Sequence, residues 1–262
     1  MGGAVVLILV ILAIGAPVIA PYSPYKADFN GAKNAPSWHH LLGQDQIGRD
    51  LLSRAMYGAR TALYVGSLVV TIAVTLGVLV GTVGGLAGGW TDRLIGAVVD
   101  MTFAFPSLVL ALAVTAALGP SLTTLMIAIG ATSWPGLSRV VRSAVFKTKS
   151  RDFVTSARAT GAGPVRVAVR HVLPNVVPEI IVLASLLSAT AVLAEASLSF
   201  LGLGAKPPTP SWGLGVSDGQ PFLEHQPWIA LVPGGFVFIT VMAFNVLGDG
   251  IRDVLDPRLR NR

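Results

Sequence analysis

Six apolar stretches of the chain have the length and pattern of helices that cross a lipid bilayer. They run over Met1 to Ala20, Thr61 to Gly85, Ile95 to Leu118, Ser121 to Leu137, Ile180 to Phe200, and Pro227 to Leu247. A membrane helix needs about 20 mostly apolar residues to cross a hydrocarbon core about 30 Å thick. Because lipid offers the backbone no hydrogen bonds, a spanning segment must satisfy its own amides, which favours helices. The pattern therefore predicts an all-α membrane protein with six transmembrane helices.

Several residues within these stretches predict how the helices bend and pack. The third and fourth stretches come from one uncharged run, so "LGPS" at Leu118 to Ser121 is the expected turn. Pro106 predicts a kink in the third span, and Asp100 is expected to pair with a basic loop residue. In the second span, glycines recur every four residues, at Gly77, Gly81, Gly85 and Gly89. This spacing predicts a flat stripe that a neighbouring helix can approach closely.

Two polar segments separate spans on the side opposite to the termini. Within Pro21 to Arg60, "LLGQDQIGRDLLSRAMYGAR" places apolar residues at helical spacing and predicts an interfacial amphipathic helix that leads into the second span. Gly202 to Gln226 is rich in Pro and Gly and predicts an ordered, non-helical loop, with Trp212 and Trp228 as aromatic interface anchors. We expect residues 1–60 to form a first helix with an extracytoplasmic amphipathic segment, and residues 61–262 to form a core domain of five transmembrane helices with a loop at 147–178.

The composition agrees with a membrane protein, and the basic residues predict its orientation. Hydrophobic residues make up 53% of the chain and charged residues only 12%. Thirteen of the 19 Lys and Arg residues fall on the side that holds both termini, which makes that side cytoplasmic by the positive-inside rule. The net charge of +6 therefore reflects sorting between loops and does not indicate nucleic-acid binding. A cleaved signal peptide is the alternative for the first stretch, but no basic residue precedes it.

The residue patterns expected of an enzyme or a metalloprotein do not occur in the sequence. It has no cysteine, and its four histidines, His39, His40, His171 and His225, form no H-E-x-x-H pattern. His39 and His40 could bind a metal, but adjacent histidines on a loop are more often solvated or interfacial. Neither a G-x-x-x-x-G-K-[ST] phosphate loop nor a G-x-S-x-G motif is found. We therefore predict no catalytic residue, metal site or bound cofactor on this chain, and any ATP must be bound by another chain.

Between the fourth and fifth spans the chain turns basic and predicts a hairpin of two short helices. On the first helix Phe153, Ala157 and Gly161 share one face, and the small residues let a partner surface come close. The chain then breaks at Gly161 to Pro164, and Pro164 suits the first position of a second helix.

The second helix of this hairpin is amphipathic. Its apolar stripe is Val165, Ala168, Val169 and Val172, and Arg166 and Arg170 lie elsewhere on its surface. Pro174 and Pro178 are expected to end it before the fifth span. The hairpin is either a basic element on anionic lipid or a protein-docking element.

The segment "FVTSARATGAGPVRVAVRHVLPNVVP" resembles the EAA loop of binding-protein-dependent ABC importer permeases. The matching positions are Thr155, Ser156 and Ala157 for E-A-A, Gly161 for the glycine, and Leu173, Pro174 and Asn175 for the closing L-P-N. Thr155 stands where the family has glutamate. "LLGQDQIGRDLLSRAMYGAR", "EASLSFLGLGAKPPTPSWG" and "LGDGIRDVLDPRLR" resemble the C-type permease subunit of dipeptide, oligopeptide and nickel importers, in the same order from about Leu41 to the C-terminus.

The resemblance implies the type I, MetI-like permease fold with a cytoplasmic coupling helix, in the bacterial inner membrane. It also implies a homologous second permease, two cytoplasmic ATPase subunits that bind ATP and Mg, and an extracytoplasmic substrate-binding protein. The implied function is half of a translocation path for dipeptides or oligopeptides, coupled to the ATPase through the loop 151–175. The implied coupling residues are Phe153, Thr155, Ser156, Ala157, Arg158, Gly161, Arg166, Arg170, Leu173 and Pro174.

Glu195 is the candidate for a residue on the translocation path, because an ionisable group inside a span is costly and usually functional. It lines the path, pairs with the partner permease, or forms a buried strut beneath the "PPTPSWG" loop. Further path or gate candidates are Ser199, Phe105 and Pro106. The alternatives are a family importer for nickel or another small solute, an ion-driven carrier, which would need inverted repeats and paired intramembrane charges, and a membrane-embedded enzyme, which would need a catalytic cluster.

Overall fold

The computed structural model describes residues 1–119 and 121–255, and these form a bundle of helices. The helices are α1 Gly2–Ile19, α2 Leu51–Ala87, α3 Gly89–Phe103, α4 Ser107–Leu118, α5 Leu122–Lys149, α6 Asp152–Ala159, α7 Pro164–Val167, α8 Leu173–Phe200, α9 Trp212–Gly219 and α10 Trp228–Leu255. No strand forms within these residues, apart from one isolated bridge between Gln44 and Asp50. The predicted turn at Leu118 to Ser121 includes Pro120, which lies outside the described residues, as do Arg258, Arg260 and Arg262 of the basic tail.

All six predicted apolar stretches are helical, but fewer than six helices meet the length and hydropathy expected of a span. Within the described residues, four do so: α1, α2, the continuous helical segment that ends with α8, and α10; the bent pair of α3 and α4 makes a fifth. The fourth predicted stretch corresponds to α5, whose mean hydropathy is lowered by residues such as Thr132, Ser133 and its basic end. Because α5 packs against α2, α4 and α8, it has little surface that must match lipid.

The bundle is centred on a close contact between α2 and α5. Gly77, Gly81 and Gly85 face α5, and a Cβ atom at Gly81 would lie 2.6 Å from the carbonyl oxygen of Ser138. At Gly85 a Cβ atom would lie 2.6 Å from a methyl carbon of Val145. The predicted glycine stripe is therefore confirmed for these residues. The prediction is wrong for Gly89, which begins α3 with φ of +58° and where a Cβ atom would meet nothing within 4 Å.

The break between α3 and α4 confirms the predicted kink. The two helices meet at 83° across Ala104 to Pro106, since Pro106 cannot donate the backbone bond that would continue α3. α3 is held against α5 by two ion pairs. Arg139 donates to Asp100 over 2.6 Å, which confirms the pairing expected for that acid, and Arg142 donates to Asp92 over 2.6 Å.

The predicted interfacial helix is wrong in its placement. Residues Leu51 to Arg60 are helical, but they are the first turns of α2 itself, and Leu51, Ala55 and Ala59 are buried. The helix begins at Leu51 because the Asp50 carboxylate accepts from the Ser53 amide over 2.7 Å. Polar loops cover this end of α2, so its apolar face packs on protein instead of lying on lipid.

The segment Gly202 to Gln226 also differs from its prediction, because it contains α9 and a short 3-10 turn at Gln220–Phe222. The Ser211 hydroxyl caps α9 by accepting from the amide of Leu214, over 3.5 Å. Trp212 is only 2% exposed and donates its indole N–H to the Ala55 carbonyl over 3.0 Å. Its expected role as an interface anchor is therefore wrong, and it instead joins α9 to α2.

We predict that Gly81→Ala destabilises the protein, because the added methyl group would collide with the backbone of α5. Such overpacking typically costs about 1–3 kcal/mol. Gly84→Ala is the matched control on the same helix, since its Cβ atom would have 3.4 Å to the nearest side-chain atom. Thermal unfolding of the purified protein in detergent measures both. Equal midpoints for the two variants would contradict the close α2–α5 contact.

Candidate functional site

The helix α6 and its turn form the first arm of the predicted hairpin. Asp152 lies in the first turn of α6 and Arg158 in the last, so both charges complement the helix dipole. The helix ends at Ala159, and the chain turns at Gly161, whose φ of +86° is costly for residues with a side chain. Here the Gly161 amide donates to the Arg158 carbonyl over 3.0 Å, and the Ala162 amide donates to the Ala157 carbonyl over 3.0 Å.

The returning arm begins at Pro164 and runs without a break into α8. The expected helix stops at Pro174 and Pro178 are therefore wrong. A π turn at Ala168–Val172 precedes Pro174. Hydrogen bonds in a π turn span five residues instead of four, and this wider turn accommodates Pro174, which has no N–H to donate. The side chain of Asn175 then donates to the carbonyl of His171 over 2.8 Å. Prolines are tolerated in membrane helices when other groups satisfy the backbone in this way.

Valines fix the hairpin to the end of α5. Val154 of α6, Val167 of α7 and Val172 of the π turn are buried with Val141 and Val145 of α5. The apolar stripe predicted for the second helix is thus only partly correct, because Val165 and Val169 are exposed. The hairpin is one packed unit with α5, and its polar side faces away from the bundle.

An open groove of about 460 Å³ lies between the two arms of the hairpin. It is lined by Phe153, Ser156, Ala157, Thr160, Ala162, Arg166, Arg170 and His171. Five of the ten residues predicted to couple to an ATPase therefore meet in one place: Phe153, Ser156, Ala157, Arg166 and Arg170.

The other predicted coupling residues lie around the groove. Gly161 forms the turn, Pro174 lies in the first turn of α8, and the Thr155 hydroxyl contacts the Arg151 carbonyl of its own helix at 3.5 Å. Arg158 and Leu173 line a second, apolar groove against the end of α2.

Sequence reasoning missed Thr160 and His171 as groove residues. The four-residue spacing of Ser156 and Thr160 would have placed their side chains on one face of α6. No comparable signal identifies His171, because its position depends on the π turn.

Glu195 and Ser199, predicted as path or gate residues, form a buried hydrogen-bond cluster. Glu195 is 1% exposed, and one carboxylate oxygen accepts from the hydroxyls of Ser199 over 2.8 Å and Ser211 over 2.9 Å. Ser199 also accepts from the amide of Ala205 over 3.1 Å. The cluster ties α8 to the loop before α9 at two points, Ala205 and Ser211. This geometry matches the buried-strut alternative for Glu195.

Phe105 and Pro106, the remaining candidates, lie at the bend between α3 and α4. Both side chains are exposed, Phe105 at 60%. They are not brought near Glu195, so the four predicted path or gate residues divide into a buried pair and an exposed pair.

The end of α2 far from the hairpin carries a charge cluster that the sequence did not reveal. Asp45, Arg49 and Arg54 are nearly buried, and Asp45 pairs with Arg49 over 2.5 Å and with Arg54 over 3.5 Å. Arg49 also reaches Asp218 of α9 at 3.8 Å. Buried charges are tolerated only when each has a partner, which is the arrangement here. No group of three or more metal-ligating side chains forms within the described residues.

The long apolar helices and the packed bundle, with the basic hairpin at one end, are the architecture of a multi-pass membrane protein. The model of the family "Binding-protein-dependent transport system inner membrane component" matches residues 73–261. The model "N-terminal TM domain of oligopeptide transport permease C" matches residues 1–36. The chain belongs to the family of inner membrane components of binding-protein-dependent transport systems. It is the permease subunit of an ABC importer, and it lies in the inner membrane.

Individual relatives agree with this assignment. The chain is 44% identical over 256 residues to the glutathione transport system permease protein GsiD of Shigella flexneri serotype 5b (strain 8401), covering 97% of this chain and 84% of that protein. It is 42% identical, with the same coverage, to GsiD of Escherichia coli O157:H7.

The fold has a solved counterpart in inward-facing conformations of the MetNI methionine ABC transporter. One such structure superposes with a TM-score of 0.64 at 17% identity, covering 79% of this chain and 96% of that one. A second crystal form gives a TM-score of 0.62. The MetI-like fold expected from the sequence is confirmed.

We predict that Glu195→Gln preserves both stability and transport, because the amide oxygen can accept from Ser199 and Ser211 as the carboxylate does. Glu195→Leu should instead leave these buried hydroxyls without an acceptor, at about 1–3 kcal/mol for each unsatisfied group. Thermal unfolding and uptake assays measure the two effects. Loss of transport in a stable Glu195→Gln variant would contradict the strut and favour a role of the carboxylate on the path.

Proposed function

We propose that this chain forms half of the translocation path of an importer for short peptides and couples to a separate ATPase through the hairpin at 151–175. The observation that carries the coupling role is the groove between α6 and the returning arm, which gathers Phe153, Ser156, Ala157, Arg166 and Arg170 on the polar side of the hairpin. The peptide substrate is supported by relatives named as glutathione transport permeases, since glutathione is a short peptide.

The proposal requires partner chains. No phosphate-binding loop occurs in the sequence, so ATP and Mg belong on two ATPase subunits, and this chain has no catalytic role. A homologous second permease completes the path, and a substrate-binding protein delivers the solute on the outer side. The excess of Lys and Arg in the hairpin and tail supports cytoplasmic termini and a hairpin that faces the ATPase.

The proposed roles of individual residues follow from where they lie. Gly161 and Thr155 belong to the coupling surface with the groove residues, and Arg158, Leu173 and Pro174 support it. Phe105 and Pro106 are proposed as gate residues because they are exposed at the bend between α3 and α4. Ser199 and Glu195 do not contact the solute in this proposal. They affect the translocation path only by holding the loop before α9 in place.

We also propose the division of the chain into residues 1–60 and 61–262. Separate family models that match residues 1–36 and 73–261 support it. Since α2 runs across residue 60, the two parts share a helix and do not move independently there.

Uptake in a strain deleted for this chain tests the substrate class. Labelled glutathione, a labelled dipeptide and nickel are supplied in parallel, and the chain is restored from a plasmid. We expect at least one peptide substrate to lose uptake on deletion and regain it on restoration, with nickel unaffected. Undisturbed peptide uptake would overturn the substrate, and selective loss of nickel uptake would assign the chain to nickel import.

We predict that Gly161→Val abolishes transport while the complex still assembles, because valine cannot adopt a φ of +86° without strain and its bulk protrudes at the docking surface. Gly161→Asn tolerates the backbone but still adds a side chain, so it separates the two causes. Gly163→Ala is the control, since its φ of −65° is ordinary and a Cβ atom there meets nothing within 4 Å.

ATP hydrolysis and uptake by the purified complex in proteoliposomes measure coupling for these glycine variants. Hydrolysis without uptake in Gly161→Val, and normal uptake in Gly163→Ala, are the expected results. Normal uptake in Gly161→Val would refute the coupling role of the turn.

A further inference from the structure

The hairpin carries an uncompensated positive charge. Residues 147–170 contain six Lys or Arg and one acid, Asp152. Four arginines elsewhere in the described residues have carboxylate partners: Arg49 and Arg54 share Asp45, Arg139 pairs with Asp100, and Arg142 pairs with Asp92. Within residues 1–119 and 121–255, by contrast, no carboxylate lies within 4.0 Å of the guanidinium groups of Arg166 or Arg170. A docking partner can therefore supply the missing acid.

The two arginines are not scattered on a flat surface but line a concave groove. Arg166, Arg170 and His171 belong to the returning arm, while Ser156 and Ala157 belong to α6. The four-residue spacing of Arg166 and Arg170 places them one helical turn apart, so both can reach the same acidic group. An arginine fork binds a carboxylate through two parallel hydrogen bonds, which gives direction as well as attraction.

The apolar part of the groove favours a protein partner over a membrane surface. Phe153 is 41% exposed at the groove, and Ala157 and Ala162 leave room for a side chain to enter. Exposed aromatic rings with arginines are typical of protein interfaces. Lipid headgroups on a flat bilayer would contact outward-facing charges, whereas an acidic side chain on a protruding loop or helix can enter a groove.

We propose that the groove between α6 and the returning arm binds an acidic side chain of the ATPase subunit, held by Arg166 and Arg170. The inference rests on the proposed coupling function and adds the polarity of the contact: the permease supplies the cations and the ATPase supplies the carboxylate. Arg166 and Arg170 then determine which ATPase can dock, because an ATPase with a neutral or basic residue at that point would leave both cations uncompensated.

Charge reversal tests the proposed contact in the assembled complex. The double variant Arg166→Glu with Arg170→Glu should weaken retention of the ATPase subunits by about tenfold or more, as expected for reversing a close interfacial charge pair. Lys147→Glu carries the same kind of charge change on an exposed residue at the end of α5, outside the groove, and should retain them. The second permease must copurify in every case, which verifies that the variants fold.

A zero-length cross-link identifies the source of the acid. Arg166→Lys keeps the positive charge and introduces an amine that a carbodiimide can join to a carboxylate in direct contact. Treatment of the purified complex should give a covalent adduct with the ATPase subunit that is absent from the unsubstituted complex. The acid is then located by mass spectrometry of the joined peptides.

The outcomes distinguish this inference from the function on which it rests. If the unsubstituted complex fails to retain an ATPase, the coupling function itself is wrong. If the complex retains the ATPase but the double variant binds it equally well, only the acidic contact is wrong. An adduct of Arg166→Lys with phosphatidylserine in place of the ATPase would assign the groove to the membrane and also overturn the proposal.

Discussion

The close contact between α2 and α5 is the constraint on which the position of the hairpin depends. Three glycines remove side chains from one face of α2, so the two helices approach backbone to backbone at Gly77, Gly81 and Gly85. The stripe ends where Lys149, the last residue of α5, donates its ammonium group to the carbonyl of Gly85 over 2.6 Å. Because α6 begins only a few residues later, the direction of α5 sets the place of the hairpin.

The valine cluster connects the hairpin to α5 as one packed unit. Val141 and Val145 of α5 pack against Val154, Val167 and Val172, so both arms of the hairpin rest on the same helix. Close-packed interiors transmit displacement because they contain few voids that could absorb it. A partner that displaces the hairpin therefore displaces α5, and with it the two ion pairs through which α5 holds α3, of which the Arg139–Asp100 pair lies near the bend at Pro106. At the other end, the Glu195 cluster and Trp212 fix the loop and α9 to α8 and α2.

The sequence predicted the features that depend on local pattern. Helical stretches, the glycine stripe, the bend at Pro106 and the turn at Gly161 all follow from residue type and spacing, and each is present. Features that depend on tertiary contacts were missed. The sequence predicts an interface anchor at Trp212, but the side chain is buried against α2. It predicts a helix end at Pro174, but the π turn before Pro174 lets the helix continue without the proline's N–H. The α5 helix is less apolar than the spanning helices, and it packs against α2, α4 and α8.

In the candidate site, too, some residues were predicted from the sequence, whereas others depend on tertiary contacts. Five groove residues are among the coupling residues that the family resemblance implied, whereas Thr160 and His171 line the groove only because of how the two arms pack. The buried cluster of Asp45, Arg49 and Arg54 could not be predicted, since charges at such spacing are equally consistent with a solvated helix face. The burial of these three side chains depends on the loops that fold over them, and those loops have no periodic pattern of hydrophobic residues.

Site-specific photo-cross-linking in the intact complex tests most directly whether the ATPase docks on the hairpin. A photoreactive amino acid is placed at Ala157, inside the groove, and separately at Thr209, an exposed residue of the loop before α9. If the ATPase docks on the hairpin, irradiation joins the ATPase subunit to the chain from position 157 and not from position 209. An ATPase adduct from position 209 alone, or only lipid adducts from position 157, would contradict docking at the hairpin.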